Sequence, residues 1–230
     1  MTLFGIPLDT HPIWLTLQVA AATTIILLII GVPIAWGLSR MRSRWRVVFE
    51  ALVSLPLVLP PTVLGFYLII AMNPNGALTE FLGLFGFDGQ LTFNFAGLVI
   101  GSVLFSLPFM VQPMMSAFQG LSEEVLDATR LMRARFLDRF FTVILPLSRQ
   151  GLLVGSVLTF AHTVGEFGVV LMVGGNIEGQ TRMVSIAIFD HVESFEYAQA
   201  HLLSAVMVIF SFAVLMGVYL INRRFSARLG

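Results

Sequence analysis

The chain has 230 residues, 57% of them hydrophobic and 11% charged, with a formal net charge of zero and a mean hydropathy of +0.91. A soluble domain is about a quarter charged, so this composition excludes a soluble globule and a disordered chain and argues against a nucleic-acid binder. It describes a polytopic membrane protein.

Five runs are long and apolar enough to cross a bilayer as helices: residues 13–38, 51–72, 95–118, 151–173 and 202–221. A hydrocarbon core of about 30 Å needs roughly twenty helical residues. Backbone groups in lipid must pair within their own segment, and a β-barrel would show short alternating strands instead of these continuous runs. The expected fold is therefore all-α, one transmembrane domain over residues 1–230. The first run is too long for a signal-peptide core and has no basic residue before it, so it reads as a mature helix.

The basic residues set the topology. All are arginine, and twelve of the thirteen follow the first span (Arg40, Arg42, Arg44, Arg46), join spans three and four (Arg130, Arg133, Arg135, Arg139, Arg149) or follow span five (Arg223, Arg224, Arg228). With five spans these segments share one face, and the positive-inside rule makes that face cytoplasmic, with the N-terminus outside. The opposite face carries Arg182 among acidic residues such as Glu178 and Asp190. Arg182 reads as pairing with a nearby acid, with guidance of an anion as the alternative.

Three spans contain helix breakers. Span two has Pro56 and the pair Pro60–Pro61, then Thr62 and Gly65; span three has Pro108 and Pro113; span four has Gly165 and Gly168 around Glu166. Paired prolines remove two backbone donors in succession. In a membrane such a break survives only inside protein or beside water. The breakers read either as kinks in packing helices or as a pathway lined by broken helices.

Thr62, Ser102, Ser106, Gln112, Ser156 and Thr163 are the uncharged polar groups placed to line such a path, and each also suits helix packing. Glu166 is a carboxylate in an apolar span, hence a functional candidate by default. It also suits a structural role, pinning a broken helix by accepting N–H bonds. His162 lies four residues earlier on the same helical face. A hydrogen-bonded helix pair explains the two better than a metal site, since two ligands do not make one.

Between spans three and four lies residues 119–150. Ser122 is placed to cap a helix, with Glu123 and Glu124 in its first turn. An amphipathic pattern follows, and a second piece, Leu137 to Ile144, ends at Leu145–Pro146. A long patterned connection of this kind is usually functional. On pattern alone it suits an interfacial helix on lipid or a contact with a protein partner.

These residues resemble the coupling motif of ABC-importer permeases, in which Glu-Ala-Ala, a glycine four residues on and a later Leu-Pro mark two short helices. Asp127-Ala128-Thr129 takes the Glu-Ala-Ala positions and Leu145–Pro146 falls at the family's spacing. Arg133 stands where the family has glycine, a departure at the turn, since glycine allows positive φ there. Pro60-Pro61-Thr62-Val63-Leu64-Gly65 resembles the second helix of molybdate permeases, and Gly165-Glu166-Phe167-Gly168 is similar to a motif shared with sulfate permeases. Gly175-Asn176-Ile177, Gly179-Gln180-Thr181 and Ala187-Ile188-Phe189-Asp190 are similar to the external segment of molybdate permeases.

The resemblance implies a type I ABC-importer permease fold and an inner-membrane homodimer. Two cytoplasmic ATPase subunits would bind ATP and Mg, and an external protein would bind the oxyanion. Glu124, Asp127, Ala128, Thr129, Arg133, Leu145 and Pro146 would couple to the ATPase. The cargo implied is molybdate, with tungstate and sulfate or thiosulfate as family alternatives.

The residues agree with a non-enzymatic subunit without cofactor or metal of its own. The chain has no Gly-x-x-x-x-Gly-Lys-Ser/Thr loop, no lysine and no cysteine. It has no His-Glu-x-x-His, no nucleophile elbow and no paired carboxylates in the spans. A gradient-driven secondary transporter remains the alternative of a different class. It usually shows an internal repeat and coupling residues, and only His162 and Glu166 are ionisable well within the spans.

Overall fold

A computed structural model describes residues 2–3, 6–7, 9–84, 86, 89–131 and 135–226. Two two-residue strands, β1 (Thr2–Leu3) and β2 (Ile6–Pro7), pair antiparallel, a small departure from the all-α expectation. The rest of the described fold is helical. The elements are α1 (His11–Arg40), α2 (Trp45–Ser54), a 3-10 turn (Leu55–Leu57), α3 (Pro61–Met72), α4 (Ala77–Gly83), α5 (Phe95–Gln119) and α6 (Glu123–Leu131). Then come α7 (Phe136–Arg139), a π turn (Phe140–Ile144), α8 (Leu145–Leu147), α9 (Arg149–Val164), α10 (Gly168–Gly174), α11 (Val184–Glu193) and α12 (Tyr197–Ser226).

Among the described residues three unbroken helical segments have membrane length and apolarity: α1, α5 and Tyr197–Gly217 of α12. Two bent pairs bring the number to five. Trp45–Leu57 meets Pro61–Met72 at 106°, and Phe136–Leu147 meets Arg149–Val164 at 77°. The candidate spans thus number three, or five if each bent pair is one span, and two of the expected runs need correction. The run 151–173 is cut after Val164, so α9 and α10 are separate helices. The run 95–118 is not interrupted: α5 passes through Pro108 and Pro113 as one helix, as neighbouring helices in a membrane protein allow.

α1, α5 and α9 pack on one another, α10 packs on α3 and α5, and α12 leans on α11. Gly151 and Gly155 of α9 let that helix approach α5 closely: added Cβ atoms would stand 2.9 Å and 3.2 Å from the carbonyl oxygens of Pro113 and Met110. One buried cluster gathers Leu27, Ala35, Met110, Met114, Phe118, Phe140 and Ile144 toward the arginine-rich end. Another gathers Leu15, Val19, Leu98, Val170 and Ile186 toward the opposite end. Large apolar side chains elsewhere on α1 and α12, such as Ile29 and Phe212, are exposed, as in a surface solvated by lipid.

Candidate functional site

The two broken runs meet. Pro60 ends the first bend in an extended conformation (φ −54°, ψ 133°), and Pro61 starts α3 at the position where a missing N–H does no harm. On the other run α9 ends at Gly165, whose N–H donates to the carbonyls of Ala161 and His162. Phe167 then leaves helical geometry (φ −128°, ψ −60°) and α10 begins at Gly168. A Cβ on Gly168 would stand 2.6 Å from the Pro61 Cβ, and one on Gly65 2.6 Å from the Met172 Cβ. Contacts that short are essentially forbidden, so glycine is what lets α3 and α10 touch.

Beside this contact is a cavity of about 640 Å³. Pro61, Thr62, His162, Gly165, Glu166 and Gly168 contribute to its wall, with Phe105, Phe167, Leu171 and Met172 supplying most of the apolar part. Sequence reasoning had named all six of the first group. It missed the aromatic part, although Phe105 and Phe109 lie four residues apart on one face of α5, a legible spacing.

His162 does not pair with Glu166. Its Nδ1 lies 2.9 Å from the Ser106 hydroxyl, and its ring stacks on Phe109 at 4.0 Å and leans on Phe105 at 4.8 Å. The four-residue register fails because the helix stops at Val164 before it reaches Glu166. Ser106 also lies 3.0 Å from the Thr163 hydroxyl, which donates to the Thr159 carbonyl. Ser106 thus ties α5 to α9 at two places.

Glu166 is 3% exposed, and the Ser102 hydroxyl faces its carboxyl without reaching full hydrogen-bond geometry. Pinning of the broken helix through N–H bonds to the carboxylate is therefore not what is found. The backbone of the residue does that work: its N–H donates to the Thr163 carbonyl at 3.3 Å, and its carbonyl accepts from the Ser185 hydroxyl at 2.6 Å. Ser156 bonds back to the Leu152 carbonyl within its helix, and Gln112 donates to the Ser54 hydroxyl, so neither joins the site.

The connecting segment behaves largely as its pattern implies. The Ser122 hydroxyl accepts from the Val125 N–H at 3.4 Å, capping α6. Glu124, Asp127 and Ala128 are exposed on α6. Thr129 is not: it is 4% exposed and donates to the Leu126 carbonyl, so it faces the protein. Arg133 lies outside the described residues. The second piece does not end at Ile144 but runs through a π turn into α8, where Leu145 packs on the core and Pro146 is exposed. On the opposite side Arg182 lies 3.4 Å from Asp190 and 3.9 Å from Glu178 and donates to Asn176 at 2.7 Å, the pairing its surroundings implied.

Comparison with known proteins follows the same outline. A family model described as the binding-protein-dependent transport system inner membrane component matches residues 15–230. The chain is 55% identical over 229 residues to the molybdenum transport system permease protein ModB of Azotobacter vinelandii, covering 97% of this chain and 99% of that one. It is 31% identical over 213 residues to the sulfate transport system permease protein CysT of Salmonella typhimurium, covering 93% and 76%. Among solved structures, inward-facing MetNI methionine ABC transporter matches with a TM-score of 0.70 at 17% identity, over 94% of both chains, a likeness of fold.

Proposed function

The chain belongs to the inner membrane components of binding-protein-dependent transport systems, and on that premise we propose that it is the permease through which molybdate enters the cell. The observation that carries the reading is the similarity to a molybdenum transport permease at 55% identity across 97% of the chain. The sulfate permease is more distant at 31%. Tungstate and sulfate are the competing cargoes of the same apparatus.

The chain supplies the path and others supply the energy. Without a phosphate-binding loop or a lysine, it depends on separate ATPase subunits that bind ATP and Mg. Glu124, Asp127 and Ala128 form the exposed edge of α6 on which such a subunit docks, and α7 through α8 carry its displacement into α9 across the 77° bend. Two copies of the chain place the α3–α10 contact and its cavity along a shared axis, with an external oxyanion-binding protein above. The N-terminus is then outside and the arginine-rich face cytoplasmic.

The cavity suits passage better than storage. Among the described residues its wall offers the exposed Thr62, the buried Glu166 and apolar and aromatic groups, with no arginine. A dianion held by a cage of guanidiniums would not leave, whereas weak polar contacts let it move on. His162, held by Ser106, contributes a polar ring to the wall.

The test is uptake into vesicles holding the permease, its ATPase and the external binding protein, with labelled molybdate and sulfate offered separately. Molybdate should accumulate only with ATP inside. Accumulation driven by an ion gradient without ATP would establish a secondary transporter, and sulfate uptake without molybdate uptake would move the cargo to the sulfate branch.

A further inference from the structure

α6 divides its side chains between two directions. Glu124, Asp127 and Ala128 are exposed, whereas Leu126 and Thr129 are buried and turn toward the end of α1. Under that inner face lies a second cavity, of about 650 Å³. Four guanidiniums line it, those of Arg40, Arg42, Arg46 and Arg139, against a single lining carboxylate, Glu123.

The arginines are not equivalent. Arg40 is fixed: its guanidinium lies 4.9 Å over the Trp36 ring, donates to the Phe118 carbonyl at 2.6 Å and stands 3.6 Å from Glu123. Arg46 is neutralised by Glu50 at 2.7 Å. Among the described residues no carboxylate lies within ion-pair distance of Arg42 or Arg139. The cavity therefore has one pre-set cation and two uncompensated ones.

Its surroundings indicate what an anion here would be attached to. The cavity opens where α1 ends and α2 begins, and no residue of α2 is buried. Trp45, Val47, Val48, Phe49 and Leu52 of α2 are exposed beside the arginines. Apolar and aromatic surface next to unpaired arginine at the end of a membrane helix is the composition of a headgroup boundary. The edge of α6 assigned above to the ATPase does not line the cavity, so docking there leaves it open.

We propose that this cavity binds the phosphate of an anionic phospholipid, with Arg42 and Arg139 as its partners and the acyl chains lying along α2. Basic pockets at the cytoplasmic ends of membrane helices take acidic headgroups in this manner. The lipid would fasten the inner face of the connecting segment to the bilayer while the outer face remains free. The inference concerns neither the cargo nor the energy source, and it stands if either is reassigned.

The full-length chain, placed in nanodiscs of phosphatidylcholine mixed with phosphatidylglycerol and then extracted into neutral detergent, can be weighed intact by mass spectrometry. Phosphatidylglycerol should be retained in preference to phosphatidylcholine. Arg42→Gln with Arg139→Gln should lower that retention about tenfold, and Arg182→Gln, at the other end of the molecule, should leave it unchanged. Arg42 is exposed, so Arg42→Gln alone keeps the fold and should lower retention about threefold. Equal retention of both lipids, or retention indifferent to Arg42→Gln, overturns the proposal. So does displacement of the lipid by millimolar inorganic phosphate, which would make the ligand a free anion. Displacement by the ATPase subunit would assign the cavity to the protein interface and overturn it equally.

Discussion

Gly168 and Pro61 touch across the junction of two broken helices: a Cβ on the glycine would stand 2.6 Å from the Cβ of the proline ring. The ring cannot rotate away as a flexible side chain would. Gly168→Ala should therefore destabilise the chain by about 1–3 kcal/mol, the usual range for overpacking, and reduce uptake more than that loss alone explains. Gly37→Ala, where nothing lies within 4 Å, is the control. Thermal unfolding in detergent alongside vesicle uptake checks both.

Ser106 is the polar link between α5 and α9, through His162 at 2.9 Å and Thr163 at 3.0 Å. Ser106→Ala removes both contacts and should lower stability by about 1–2 kcal/mol. His162→Phe keeps the stacking on Phe109 and loses only the hydrogen bond, so it should cost less than His162→Ala, which also empties the space between Phe105 and Phe109. The order of the three unfolding midpoints is the measurement.

Glu166 is buried, with the Ser102 hydroxyl facing its carboxyl, and a negative charge on the proposed anion path would oppose the cargo. Glu166→Gln keeps the shape and a polar group for Ser102 without a carboxyl to bury, so it should leave stability equal or raised and uptake within about twofold. A tenfold fall in uptake with unchanged stability would establish that the charge itself is required.

The two faces of α6 separate by mutation. Asp127→Arg, on the exposed face, should abolish ATPase co-purification while the chain still inserts and unfolds normally. Thr129→Arg, on the buried face, should instead destabilise the chain, by about 3 kcal/mol or more, because it buries an unpaired charge. If Asp127→Arg retains the ATPase and supports uptake, the docking edge is elsewhere.

Much of this was legible in the sequence because membrane solvation acts on length and hydropathy, which can be read directly. The long helices α1 and α5, the break at Pro60–Pro61 and the Ser122 cap all follow from local chemistry. Local chemistry misled wherever a neighbour decided the outcome. Pro108 and Pro113 imply interruption, but α5 stays whole against α9. His162 and Glu166 are in helical register only if the helix continues, and Gly165 ends it. Thr129 belongs to a motif of contact residues, yet it turns inward where Leu126 joins the core. The arginines after the first span register as topology signals, and nothing in their spacing reveals that Arg40 lies over Trp36 while Arg42 has no partner among the described residues.

α1 is one unbroken helix of 30 residues, about 45 Å from end to end, and it is clamped at both extremes. At the arginine-bearing end Arg40 grips the Phe118 carbonyl. Toward the opposite end the Thr16 hydroxyl receives the Val184 N–H at 2.9 Å, fastening the start of α11. Such a strut cannot be shifted at one end alone. A tilt imposed beside the connecting segment is therefore carried along α1 to the start of α11, which links the two ends of the molecule mechanically.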